Sequence, residues 1–329
     1  MTAIQSITSP AAALATATRD LGEEIRAGLG AAGQKTLPSR LLYDDVGSAL
    51  FEVISLLPEY GLTRADERIL RAHATEIVGR LPVSLRVVEL GSGSGRKTRW
   101  LLNEAASRQP VSYHPIDVSR AALESCHTAL VDTPGVRVEP IEAPYLLGLH
   151  VAMARRLADE HLLVLFLGST IGNFMPQAAE GFLTELRRLL VPGDALLLGT
   201  DLLKPVPRLL AAYDDPLGVT GSFDLNMLAR INREFQGDFD LRLFEHQARW
   251  NAATHDIEMH LVARRSHTVE IRALGLRVEF QSGESIWTES SHKYDRDEAL
   301  HLGQRAGFEC GGQWLDVEWP FAESLLIAR

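Results

Sequence analysis

The chain has 329 residues, enough for one large domain or two ordinary ones with a substantial core. Its 46% hydrophobic and 23% charged residues are those of a soluble globular protein, and 43 acids against 33 Lys plus Arg leave a net charge of −10. That acidity argues against a nucleic-acid substrate, because phosphate binding needs a basic face. The two cysteines, Cys126 and Cys310, lie far apart without metal-ligand spacing, so a reducing cytoplasm is the expected compartment. No apolar run approaches the ~20 residues that span a bilayer, and no membrane association is expected.

In chain order, the Ala- and Thr-rich start lacks the basic head and compact apolar centre of a secretion signal, and reads as a loose tail leading into a helix from Ala13 to Leu29. Leu50, Phe51, Ile54 and Leu57 recur at helical spacing, predicting a helix from Gly47 to Leu57 that Pro58 ends. A further helix is expected from Arg64 through Ile77. Tyr43 and Tyr60 stand out here as aromatic hydroxyls, although the common fate of a tyrosine is half-burial with a satisfied hydroxyl.

Residues 85–100, LRVVELGSGSGRKTRW, organise the rest of the chain. An apolar strand closes on Glu89, three alternating glycines (Gly91, Gly93, Gly95) turn the chain, and a helix begins near Arg96. Glycine lets a ligand touch the backbone, and the helix start offers free N–H groups and a positive dipole end. A Walker loop would need glycine where Arg96 stands, and the dinucleotide fingerprint needs its third glycine at that same place. The remaining form, acid-x-Gly-x-Gly-x-Gly, resembles the first motif of class I S-adenosylmethionine (SAM) methyltransferases. In those enzymes an acid closing the next strand holds the ribose, and Asp117 occupies that place in YHPIDVS. A purely structural turn is the alternative.

The elements then alternate as strand and helix, which predicts a parallel sheet with right-handed crossovers. Strand 111–117 leads to a helix capped by Ser119, residues 136–142 read as a third strand, and the wholly apolar 162–167 as a central one covered on both faces. That strand empties into GSTIGNFMP, placing Gly168 and Asn173 at the edge where open α/β sheets bind ligands. A helix stopped by Pro192-Gly193 precedes a fifth strand, 195–199. Residues 202–293 hold a helical stretch (Leu225, Leu228, Ile231, Phe235) and three alternating segments, IEMHLVARR, HTVEIRALGLRVEF and SIWTESSHKY, that look like antiparallel strands. A helix over 297–305 and a terminal strand pair complete the chain. Glu289 and Ser291, two apart on an expected strand, face one side, as a merely solvated face would also have it. Asp214 and Asp215 read as a turn. His255 and His260 lack zincin spacing and a third ligand, and no metal is expected.

Several segments in one order resemble a single family, the L-histidine Nα-methyltransferases of ergothioneine biosynthesis, which make trimethylhistidine (hercynine). They are LLYDDVGSALFEVISLLPEY with TRAD, VVELGSGSGRKT, PIDVS, LFLGSTIGN, LLLGTDL, AAYDD with GVTGSF, LNMLARINREF, FDLRLFEHQARWN, IEMHLVAR and TESSHKY. The resemblance implies an α/β fold: a Rossmann-like class I methyltransferase sheet with a reversed last strand, plus a smaller α+β substrate-binding domain. On that basis 64–201 and 294–329 form the SAM-binding domain, while 1–63 and the insert 202–293 form the substrate-binding domain. It implies SAM contacts at Glu89, Gly91, Gly93, Lys97, Asp117 and Tyr145, with Gly91 and Lys97 at the methionine end and Asp117 on the ribose. Tyr60 and Gly168 would meet the α-amine, Asn173 and Tyr213 the carboxylate, and Glu289 and Ser291 the imidazole, with Met259 packed on the ring. Tyr43 and Tyr60 would be the catalytic tyrosines. One departure is visible: the family's acid-plus-aromatic pair for adenine reads Pro144-Tyr145, so the aromatic survives and the acid does not. Backbone or Glu142 would hold the adenine amine instead. A monomer is expected. The rival readings are the same chemistry on tryptophan, a non-catalytic SAM-binding protein, and an RNA methylase, the last opposed by the acidic charge.

Overall fold

The computed structural model describes residues 10–329. Helix α1 (Pro10–Leu29) starts ahead of the expected Ala13, and residues 1–9 of the expected tail lie outside the described residues. After β1 (Lys35–Thr36), α2 (Asp45–Ile54) begins where the Asp44 carboxylate accepts the Gly47 amide at 2.7 Å. It stops short of Leu57 because the amides of Leu56 and Leu57 turn back to carbonyls three residues earlier. α3 (Leu62–Gly79) covers the second expected helix.

The expected alternation continues as β2 (Leu85–Leu90), α4 (Arg99–Arg108), β3 (Val111–Asp117) and α5 (Arg120–Leu130), the last capped by Ser119, whose hydroxyl accepts the Ala122 amide at 3.2 Å. The strand expected over 136–142 is two short ones, β4 (Val136–Val138) and β5 (Ile141–Glu142), each paired with β3. Pro140, which has no N–H to give a ladder, stands at the break. Next come α6 (Tyr145–Met153), β6 (His161–Phe166), α7 (Pro176–Leu189) and β7 (Ala195–Asp201). Four elements had no counterpart among the expected ones: β1, α6, α8 (Val206–Tyr213), which lies ahead of α9 (Val219–Phe235), and β8 (Phe244–Asn251). β9 (Asp256–Ala263) is followed by the segment 267–280, which is not one strand but the hairpin β10 (His267–Ile271) and β11 (Leu276–Phe280), turned by Gly275 at φ 56°. β12 (Ser285–His292), α10 (Glu298–Arg305), β13 (Phe308–Asp316) and β14 (Phe321–Ala328) complete the chain.

The large sheet has the order β13-β14-β7-β6-β2-β3-β4, with β5 also on β3. β7, β6, β2, β3 and β4 run parallel, and β14 lies antiparallel between β7 and β13. This is the class I methyltransferase sheet with its reversed last strand. A separate four-stranded sheet has the order β1-β12-β9-β8. Leu162–Phe166 and Leu196–Leu198 are fully buried, as central strands covered on both faces must be.

The chain divides into two compact units, Met1–Leu42 with Gly221–Gln247 and Met259–Glu289, and Tyr43–Thr220 with Ala248–Glu258 and Ser290–Arg329. The first has its own core of Ile25, Leu29, Met227, Ile231, Ile271 and Phe280, and Arg26 of α1 donates to the Leu274 carbonyl at 2.6 Å. The second contains the large sheet. No helix among the described residues is long and apolar enough to cross a membrane.

Candidate active site

The glycine turn lies at the C-terminal end of β2. Gly91 and Gly95 adopt φ of 69° and 65°, where a side chain is strained. A Cβ at Gly95 would stand 2.5 Å from the Cys126 sulfur, so α5 packs there only against a hydrogen. A Cβ at Gly91 would meet the Tyr145 hydroxyl at 3.2 Å. Tyr145, the first residue of α6, rests edge-on against Phe166 at 5.5 Å. Asp117, closing β3, spans the turn: its carboxylate accepts the Gly93 amide at 3.3 Å and the Ser119 amide at 2.9 Å. Burial pushes the Asp117 pKa up, with those amides pulling against it. Glu89 points inward, its Oε2 accepting from Thr98 at 2.8 Å and from the Tyr113 hydroxyl. It therefore ties the start of α4 to β2 and β3 from within. Burial pushes its pKa up to about 7 against these hydrogen bonds.

Lys97 reaches back from the turn to Asp66 of α3, Nζ to Oδ2 at 2.5 Å, and the same oxygen accepts the Gly168 amide at 2.9 Å. Burial opposes the Lys97 charge, but Asp66 outweighs it and the pKa is raised. Fully buried Glu323 of β14 faces Asp66, and burial with that neighbour pushes its pKa well up. Neither Glu323 oxygen accepts a hydrogen bond. Asp66 thus joins the end of β6, the glycine turn and β14. Beside Gly168, Ser169 holds a left-handed φ of 58°, and its hydroxyl accepts the Asp201 amide at 2.9 Å.

Tyr43, Phe51, Tyr60 and Tyr213 form a run of edge-on rings, with centroids at 6.2, 6.2 and 5.9 Å. The Tyr213 hydroxyl lies 2.8 Å from that of Ser291. Asn173 closes the short turn Thr170–Asn173 just past Gly168. Two expected residues belong to the other compact unit, Met259 on β9 and Glu289 on β12, both buried. Within it Thr288 donates to the Met259 carbonyl at 2.9 Å, and the Trp287 indole to the Glu289 carbonyl at 3.1 Å. Asp215 is more than a turn: it accepts the amides of Val219 and Thr220 at 3.1 and 2.7 Å and so caps α9.

Over residues 21–328 the chain matches the family described as histidine-specific, SAM-dependent methyltransferases. It belongs to that family. This histidine-specific methyltransferase is 41% identical over 315 residues to the histidine N-alpha-methyltransferase of Mycolicibacterium smegmatis, covering 94% of this chain and 96% of the relative. It is 43% identical over 303 residues to the protein of the same name from Mycobacterium tuberculosis, covering 88% and 90%. To the ergothioneine biosynthesis protein 1 of Neurospora crassa it is 31% identical over 297 residues, which are 86% of this chain and 32% of that longer one.

The residues at the turn fit SAM. The open side of Gly93, where a Cβ would meet nothing nearer than 3.7 Å, leaves room over the backbone, and the Asp117 carboxylate has the acceptor chemistry that ribose hydroxyls need. Several buried charges of the sheet-bearing unit carry no mark in the sequence. Asp66 lies inside the TRAD segment and Lys293 inside TESSHKY, but a lone acid on an amphipathic helix or a lysine at a strand end carries no signal until the fold buries it. Asp201 and Glu323 sit in strands whose apolar pattern hides them.

Proposed function

We propose that the chain methylates the α-amine of L-histidine three times at the expense of SAM, giving hercynine of the ergothioneine pathway. The observation that carries this reading is the family match across residues 21–328. In this reading 64–201 with 294–329 bind SAM, and 1–63 with 202–293 bind the amino acid. Gly91, Gly93, Lys97, Asp117 and Tyr145 hold the cofactor, with Glu89 keeping the turn in shape from inside. SAM supplies an electrophilic methyl group on a sulfonium.

The chain's residues supply alignment and deprotonation. An in-line displacement needs a neutral amine lone pair held against the methyl donor, so the ammonium must first lose its proton. Tyr60 and the backbone at Gly168 orient the amine, Tyr43 lies next to it, and Asn173 and Tyr213 take the carboxylate. Each transfer replaces an N–H with N–CH3, and the third leaves a permanent quaternary cation, which the faces of Tyr43 and Tyr60 accommodate. After the third no lone pair remains, and the reaction ends by itself. Glu289 and Ser291, on one face of β12, select the ring through its N–H groups, and Met259 packs on it. A side chain that cannot pair with them leaves buried polar groups unsatisfied, at ~1–3 kcal/mol each. The two cysteines are free thiols, in keeping with a reducing compartment, the cytoplasm, and a monomer is the proposed state.

The test is mass spectrometry after incubating the protein with SAM and an equimolar mixture of the twenty amino acids. A gain of three methyl groups on histidine alone is expected. The same gain on tryptophan would keep the chemistry and overturn the pocket assignment, and SAM binding without methylation would overturn the enzyme.

A further inference from the structure

A second set of charged side chains is sealed inside the sheet-bearing unit, and the chemistry above does not use it. Lys293, just past β12, is fully buried. Its ammonium donates to the Tyr213 hydroxyl at 2.7 Å and to the Ser291 hydroxyl at 2.8 Å, and lies 3.1 Å from Asp201 Oδ2. It also sits 4.4 Å from the centre of the Tyr213 ring. Since the two hydroxyls are 2.8 Å apart, ammonium and hydroxyls close a triangle. The other oxygen of Asp201 accepts from Lys204 at 2.6 Å and from the Trp319 indole at 2.9 Å.

Two ammonium groups therefore share one carboxylate. Burial, with Lys293 adding to it, lowers the Lys204 pKa to about 8 despite Asp201. A core built for stability alone would hold one lysine here or an apolar chain of similar volume, because an uncompensated buried charge is costly. The surplus charge has a direction. Lys204 is taken up by Asp201, its own backbone neighbour Leu202 and the Trp319 ring at 4.8 Å, whereas Lys293 spends two donors on Tyr213 and Ser291. A hydroxyl that accepts from an ammonium becomes a stronger donor through its own hydrogen.

We propose that Lys293 is a positioning residue for the amino-acid substrate: it supplies, through the Tyr213 hydroxyl, the buried positive charge that the substrate's carboxylate neutralises. The proposal rests on the reading that Tyr213 receives that carboxylate. It makes Lys293 a determinant of specificity, selecting free amino acids over amides, esters and peptide-linked residues.

The test compares L-histidine with L-histidinamide, which differs in lacking the negative charge, on the full-length protein. The wild-type protein is expected to bind histidine more tightly than histidinamide by roughly tenfold or more in calorimetry, the size of one charge-assisted contact; equal binding overturns the proposal without any variant. Lys293→Met leaves Asp201 paired with Lys204, so the charge balance of the core is kept. It is expected to raise the KM for histidine roughly tenfold, with the KM for SAM and the affinity for histidinamide nearly unchanged. Lys293→Arg, which keeps the charge, is expected to retain part of the preference for histidine. If Lys293→Met weakens histidine and histidinamide alike, or moves SAM instead, the role is structural and the proposal falls. Tyr213→Phe is measured alongside: an unchanged histidine KM there removes the carboxylate reading itself, whereas a raised one with an unaffected Lys293→Met removes only the lysine.

Discussion

The glycine-turn end of the large sheet and the Lys293 group are both buried and polar, and they carry opposite surpluses. Around the turn, Glu89, Asp66 and Glu323 act on the single ammonium of Lys97, while Asp117 accepts backbone amides of the turn; around Tyr213, Lys204 and Lys293 face the single carboxylate of Asp201. Burial pushes the pKa values of Glu89, Asp117 and Glu323 up and that of Lys204 down, so each group is drawn toward neutrality by its own protons. A surplus of buried charge is a cost in the empty protein, and a ligand of opposite sign relieves it. The acid-rich end suits a sulfonium cofactor and the lysine-rich group suits a carboxylate. The contrast teaches that charge sorting, set up before any ligand arrives, separates the two proposed binding tasks within one unit.

The comparison breaks most severely if the turn itself is disturbed. Gly95→Val combines a strained φ with an approach of 2.5 Å to Cys126, and strain plus overpacking are expected to cost about 4 kcal/mol of stability. Denaturant unfolding reads this, and a loss below about 1 kcal/mol would mean the turn is slack.

The opposite surpluses are also expected to give opposite pH dependences. Folded Glu89 keeps its proton up to about pH 7, whereas the unfolded chain releases it near 4.5, so its contribution is complete below 4.5 and is lost as pH rises through 7. Glu89→Gln should flatten that fall, a change of about 3 kcal/mol between pH 4.5 and 7.5. Folded Lys204 loses its proton near pH 8 and the unfolded chain near 10.5, so stability is regained as pH rises between them, and Lys204→Met should remove that rise. Thermal melts of the three proteins across pH test both signs. Slopes that match the wild-type protein would show that neither group carries the surplus.

The smallest effect sharpens the cofactor side alone. Asp117→Ala is expected to weaken SAM binding by about 2 kcal/mol in calorimetry. Wild-type affinity would remove Asp117 from the ribose.

What the sequence displays and what it hides divide along the same line. The turn, Glu89 and Asp117 were legible because contiguous residues make them, a strand followed by glycines and the end of the next strand. The reversed last strand was legible only through resemblance. Asp66 went unread because its partners stand 31 and 102 residues away, at Lys97 and Gly168, and Lys293 because its hydroxyl partner Tyr213 stands 80 residues earlier. Pairing of buried charges is decided by the fold and leaves no periodic trace. The same holds for the missed elements: β8 is mostly polar and only partly buried, and the alternation through 267–280 runs on across Gly275, where the backbone reverses.

The position of β14 also orders events in time. It pairs along its whole length with β7 on one side and β13 on the other, yet it is made after both. During synthesis β7 therefore waits with a row of open amides and carbonyls, and Asp66 waits without Glu323 beside it, until residues 321–328 emerge. The sheet is closed by a strand made after both of its neighbours, so the polar interior beside Gly168 is complete only once that strand has paired.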